Sequence, residues 1–428
     1  MVMNSANLGI AVQKGAFDVL IRNDRQYDGR RYFAADYKKY PFQYYWDSCF
    51  QAIVISLYDG RRAEEEIYTL LSTQFKDGCM PYLTCWGKAP FPWNLFMRIA
   101  SWIGDDGRAN LSTQPMLSAV ATWEIYKRTE NLAFLERVIP ELAREADYIG
   151  VQRDLLDDGL TVIVNVLEAG TNESPVYDSI VGLPRPRGIG PLMHLLFYLR
   201  LSIQMSKYKS LGFDLERIAQ LEDFLVEDMN SNSLFARSLR AMGDILFELG
   251  DRRAAYEYHE QAKAIATKLE DICWSPKHRF FFTRYGTKKE RKSVPVKTLS
   301  GVLPLFTGLI SKEKADILVK EHLLNDGEFY APYPFSFVSM DEPSYRSWIF
   351  PSPFPSLWRT GTWMNMNWLV FMGLKEYGYD ELAFEVVTKS LRLVELSGFR
   401  EFYNSRTGKG YGGKSYGMST LVADMLAR

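Results

Sequence analysis

The stretch Leu239-Arg-Ala-Met-Gly-Asp-Ile-Leu-Phe-Glu-Leu-Gly-Asp-Arg-Arg-Ala-Ala-Tyr-Glu-Tyr-His-Glu-Gln-Ala-Lys-Ala-Ile-Ala-Thr-Lys-Leu269 decides how the rest of the chain is read. Leu239, Met242, Leu246 and Leu249 step by three and four, and Tyr258, Ala262, Ile265 and Leu269 repeat the step. Each half therefore places an apolar stripe along one side of a helix. Between the halves, Gly250 is suited to close the first helix and Asp251 to cap the second, which makes the pair a helical hairpin. Its look is that of a tetratricopeptide unit, but no 34-residue period surrounds it, and a repeat solenoid is rejected.

Outward from this hairpin the same spacing predicts helices over 5–22, 47–58, 63–75, 114–128, 134–153, 190–208, 214–229, 311–323, 362–377 and 379–397, a dozen in all. No convincing strand series interrupts them, so the fold class is all-α. The connecting loops are less ordinary. Lys76–Tyr82, Trp86–Trp93 and Ile349–Pro355 combine proline with aromatic side chains, which suits a shaped surface better than a linker.

Composition narrows the function. The 428 residues are 47% hydrophobic and 24% charged with a net charge of −1, a balance that leaves no electrostatic footprint for nucleic acid or an anionic membrane. The basic run Lys288–Lys292 reads as a solvated loop. Aromatic residues make up 14%, which fits either a large core or a site that stacks rings on sugar faces. Cys49, Cys79, Cys85 and Cys273 lack metal-ligand spacing and read as reduced, buried thiols; no metal or cofactor is called for. No secretory signal and no apolar run of about 18 residues is visible, so a cytoplasmic protein is expected.

The segment that carries chemistry is Glu168-Ala-Gly-Thr-Asn-Glu-Ser-Pro-Val-Tyr-Asp178, where three acidic residues and an Asn crowd around Gly170 and Pro175. No helix interior would choose that combination, and such a loop presents carboxyls. It resembles the general-acid loop of the inverting α-glycosidases of glycoside hydrolase family 63 and their trehalase relatives, Glu-(Ser/Thr/Ala)-Gly-x-Asp-x-Ser-Pro, in which the Asp protonates the leaving oxygen. Asn172 stands at that Asp position. An amide has the same shape and cannot donate a catalytic proton.

Glycoside hydrolysis needs a second carboxylate on the other side of the sugar ring. Gly398-Phe-Arg-Glu-Phe-Tyr-Asn-Ser-Arg-Thr-Gly-Lys-Gly410 resembles the family's general-base segment, which implies Glu401 as the base; Ser405 replaces the usual Pro. Tyr45-Trp-Asp-Ser48 resembles a sugar-binding segment, implying that Trp46 stacks on the sugar and Asp47 bonds its hydroxyls, although Asp47 also suits a helix N-cap. Gln114 lies in a Gln-Pro helix entry. Leu357–Trp368 resembles the family's Trp-Arg-Gly string, with Trp358, Arg359, Trp363 and Asn367 in register and Thr360-Gly361 in place of Gly-Pro. Arg359 suits either a catalytic carboxylate, a substrate oxygen or a structural ion pair. Glu168 and Gly170 complete the implied substrate-binding set. The family's C-terminal Trp is absent, with Tyr416 close to its place.

Taken with the dozen helices, the resemblance implies one catalytic domain over 1–428 with an (α/α)6 toroid, a pocket at one end lined by inter-helix loops, and an inverting α-glycosidase acting on a short α-glucoside or α-mannoside. Arg30, Arg31, Tyr40 and Lys88 are candidates to receive the carboxylate of an anionic aglycone such as glycerate. Three accounts of Asn172 stay open: an inactivated hydrolase, a variant in which Glu173 or Glu168 is the acid, and a non-catalytic carbohydrate-binding protein. On an extended loop, Glu173 would point away from the position of residue 172. A sugar epimerase on the same fold would lean on histidines, and His194, His259, His278 and His322 sit mostly in helical or charged surroundings.

Overall fold

The computed structural model describes residues 5–87, 103–104, 106–109, 112–183, 191–345 and 358–428. Lys88, the 349–355 loop and most of the Trp86–Trp93 loop lie outside the described residues, as does the His194 side chain.

The described chain is mostly helical. Helix Tyr45–Ile55 touches Ser118–Thr129, which touches Met229–Glu248; that helix touches Pro304–Thr307, which touches Met364–Glu376, and Leu421–Leu426 joins Met364–Glu376 back to Tyr45–Ile55. The contacts therefore run in a closed cycle. Outside it, Gly60–Leu71, Leu132–Asp147, Arg252–Lys268, Asp380–Ser397 and Ser5–Asn23 pack against the inner helices, most of them against two.

Burial follows this arrangement. All eleven residues of Tyr45–Ile55 are buried, and Met364–Leu374 are buried without a break, as a helix enclosed by others must be. Arg252–Lys268 buries little more than Ala255, Ala262, Ile265 and Ala266. A second hydrophobic cluster, built on Val162, Leu167, Tyr177, Phe197 and Phe224, lies beneath the 160–183 segment.

The hairpin behaves as its sequence dictates. Gly250 adopts φ +85° at the turn and Asp251 accepts from the Ala254 amide at 3.0 Å. Two of the boundaries that move bear on the site's surroundings. The expected 214–229 helix stops at Ala219, because Val226–Glu227 pairs with Arg284–Gly286 and Asp228 caps a new helix by accepting from the Ser231 amide at 2.9 Å. The expected 114–128 helix starts only at Ser118, which leaves Gln114–Leu117 free of helical geometry. Short antiparallel pairs also occur; the first, Asp24–Tyr27 with Arg30–Phe33, turns through Asp28 and Gly29, both at positive φ. That Asp-Gly pair is a hairpin signal legible in sequence.

Candidate active site

Several of the implied site residues lie just before or at the N-termini of inner helices. Asp47 opens helix Tyr45–Ile55, Gln114 precedes Ser118–Thr129, Trp358 and Trp363 precede Met364–Glu376, and Tyr416 precedes the turn that leads into Leu421–Leu426. Orphan amides at such ends favour negative charge nearby.

Glu401 is 4% exposed and held by three donors. Lys39 Nζ lies 2.8 Å from Oε2, the Tyr40 hydroxyl donates to Oε1 at 3.0 Å, and the Gly413 amide donates to Oε2 at 2.9 Å. Gly412 makes the room: at φ +70°, a Cβ there would fall 2.1 Å from Glu401 Oε2. Asp36 organises both flanks, accepting from the Lys38 and Lys39 amides on one side and from the Ser415 amide on the other. The Lys39 contact spans 362 residues, so no local pattern announces it. Tyr40, expected among the aglycone candidates, is bonded to Glu401 instead, and Arg31 is ion-paired with Asp24.

The acidic loop is clamped at both ends. Glu168 is fully buried against Arg153, with bonds of 2.8 and 2.9 Å, and takes a third bond from the Val164 amide. Asp178 is paired bidentately with Arg359, both side chains being almost fully buried. Between the clamps, Asn230 Nδ2 donates to the Ala169 carbonyl at 2.7 Å, and the Tyr177 hydroxyl donates to Asp228 at 2.6 Å. Glu168 and Arg359 thus hold the loop's backbone in place. Asn367 is likewise engaged by protein: its amide bonds Pro334 O, Ser390 Oγ and the Phe335 amide.

An aromatic column joins the two acidic segments. A Cβ on Gly170, at φ +71°, would meet the Trp46 indole at 2.7 Å. Trp46 lies 6.2 Å from Trp358, Trp358 stacks on Trp363 at 3.7 Å, and Trp363 stacks on Phe402, the neighbour of Glu401. At 2% exposure, Trp46 is packed beneath the loop. Gln114 Oε1 accepts from the Trp46 amide at 3.0 Å and so caps the first turn of that helix.

Asp47 is not the N-cap of its helix; Tyr44 occupies that position. Its carboxyl is 3% exposed and Oδ1 has no hydrogen-bond partner. Burial, and then the Glu401 charge, push its pKa up to about 8, with the Tyr416 hydroxyl pulling the other way. Tyr416, Tyr40, Tyr44 and Tyr82 pack edge to face with centroids 5.8 to 6.3 Å apart. Lys39, Gly412, Asp36, Tyr44 and Tyr82 were missed in sequence; of these, only the Gly412-Gly413 pair carried a local hint of close backbone approach. Of the histidines whose side chains are described, His259 bonds Asp244, His322 bonds Glu328, and His278 bonds Ser275, none of them a residue of this group.

A helical ring with two fixed acidic segments and aromatic rings between them is the apparatus of a carbohydrate-active enzyme. Residues 40–419 match the model of the mannosylglycerate hydrolase MGH1-like glycoside hydrolase domain, and the chain belongs to that family of glycoside hydrolases. Mannosylglycerate hydrolase of Thermus thermophilus is 27% identical, covering 95% of this chain and 98% of its own. Glucosylglycerate hydrolase of Mycolicibacterium hassiacum is 23% identical over 87% of this chain and 89% of its own. A crystal structure of the family 63 mannosylglycerate hydrolase from Thermus thermophilus with Tris and D-glycerate superposes with a TM-score of 0.83 at 25% identity, covering 97% of this chain and all of the other. Neutral trehalase Nth1 of Saccharomyces cerevisiae shares the fold, with a TM-score of 0.59 at 15% identity. Among the described residues, no helix is long and apolar enough to cross a membrane.

Proposed function

We propose that this chain is an inverting α-glycosidase that hydrolyses a short α-mannoside or α-glucoside with a small anionic aglycone of the glycerate kind, on a single (α/α)6 domain. The closed cycle of inner helices, backed by outer ones, supports the toroid. The observation that carries the activity is the fixation of Glu401 by Lys39, Tyr40 and Gly413, across an aromatic column from the acidic loop. Three donors leave the carboxylate one orientation in which to take a proton from water. Trp46, Gln114, Trp358 and Trp363 shape the floor and hold the loops apart, and the unpartnered Asp47 Oδ1 is the natural contact for a sugar hydroxyl. Inversion requires carboxyls about 6.5–9.5 Å apart, with room for that water. Arg30, exposed and stacked 5.1 Å over Trp86, is the remaining described candidate for the anionic aglycone.

Asn172 favours one competing reading, a carbohydrate-binding protein on a hydrolase scaffold. Proton NMR separates the two. Mannosylglycerate or glucosylglycerate mixed with the protein should release the β-sugar before mutarotation. First release of the α-sugar would show retention, and binding of either glycoside without any release would favour the binder.

A further inference from the structure

Residues 171–174 are not extended. The Ser174 amide donates to the Thr171 carbonyl at 2.9 Å, so Asn172 and Glu173 occupy the two central positions of a turn. Opposite-facing side chains are a property of extended backbone, and the turn removes that objection to Glu173. The two side chains then part company. Asn172 is half-buried and makes no side-chain hydrogen bond among the described residues. Glu173 is 1% exposed, and its Oε1 accepts from the Tyr198 hydroxyl at 2.8 Å.

Tyr198 links that carboxyl to the tyrosines that surround the base. It lies within electrostatic reach of Tyr44 and Tyr82, and Tyr40 lies within reach of Tyr198. Tyr40 is the residue whose hydroxyl holds Glu401. The two carboxyls are thus each hydrogen-bonded to a tyrosine, Glu401 to Tyr40 and Glu173 to Tyr198, and the two tyrosines lie within electrostatic reach of one another. The rest of the acidic loop is anchored by Arg153 and Arg359, so this arrangement is held by its frame.

We propose that Glu173, not residue 172, supplies the proton to the leaving oxygen, with Tyr198 as its positioning residue. The assignment rests on the glycosidase reading above. In the step, Glu401 takes a proton from water, the water oxygen bonds to the anomeric carbon, and the electron pair of the breaking carbon–oxygen bond goes to the aglycone oxygen. That oxygen receives the Glu173 proton, leaving Glu173 ionised and Glu401 protonated until solvent restores both. A tyrosine hydroxyl both donates and accepts, so Tyr198 serves Glu173 in either state. Glutamate is one methylene longer than the aspartate of the family motif, which extends its reach from the neighbouring position.

The test compares two substrates in the full-length protein: a glycerate glycoside, whose leaving group needs a proton, and the matching glycosyl fluoride, whose leaving group does not. Glu173→Gln should lower kcat on the first by roughly 10²–10⁴-fold and on the second by less than about tenfold, and should remove the alkaline limb of the pH profile. Tyr198→Phe should shift that limb while sparing the fluoride. Asn172→Asp should change either rate by less than about tenfold. Equal losses on both substrates, or no loss in Glu173→Gln, would overturn the assignment while leaving the hydrolase reading intact. So would an increase of about 100-fold or more in Asn172→Asp. A wild-type protein that releases sugar from neither substrate would take down the hydrolase reading, and this assignment with it.

Discussion

The two acidic segments of the site are built in opposite ways. In the proposed base segment, the carboxylate itself is gripped, by an ammonium, a phenol and a backbone amide on Glu401. In the acid segment the grip falls on the ends, where Arg153 and Arg359 hold Glu168 and Asp178, while Asn172 and Glu173 occupy the turn between. A base must hold one orientation toward water, whereas a clamped loop can change its central residues without losing its frame. That difference explains how a family signature survives around an altered central position.

Substitutions that attack one segment at a time can break the comparison. The largest effect is expected at Glu401→Gln, with kcat on a glycosylglycerate falling roughly 10²–10⁴-fold at unchanged circular dichroism. Turnover close to wild type would remove Glu401 from the mechanism. Next comes Arg359→Met, which strands the buried Asp178 carboxylate and should cost about 3–5 kcal/mol in denaturant unfolding. Arg31→Met, at a half-exposed ion pair, should cost less than about 1 kcal/mol. Similar values for the two would mean that the clamp is not structural.

Gly412→Ala forces a methyl group into Glu401 at a positive φ and should lose about 1–3 kcal/mol of stability together with activity. Unchanged kcat there would show that the grip on the base is loose. The last effect is a slope against pH. Because Asp47 is raised from 3.8 to about 8 on folding, the native state binds more protons than the unfolded one between those values, and stability falls as pH rises through that window. The limit is about 1.4 kcal/mol per pH unit. Thermal unfolding of Asp47→Asn should therefore gain on wild type between pH 5 and 8, and parallel curves would contradict the buried, shifted carboxyl.

By itself the sequence determined the helical class, the hairpin closed by Gly250 and capped by Asp251, and the two acidic segments with Asn at 172. Those are local properties: apolar periodicity, capping chemistry and strings of adjacent residues. Only the tertiary structure decided the rest. Glu168 and Arg359 became clamps because Arg153 and Asp178 fold against them, and Asn367 was taken up by Pro334, Phe335 and Ser390. Lys39 and Tyr40 reach Glu401 across more than 360 residues of chain. The turn at 171–174, which brings Glu173 to Tyr198, depends on the anchoring of both loop ends as much as on its own residues. A carboxyl's role follows from what faces it, and what faces it is set by packing between distant segments.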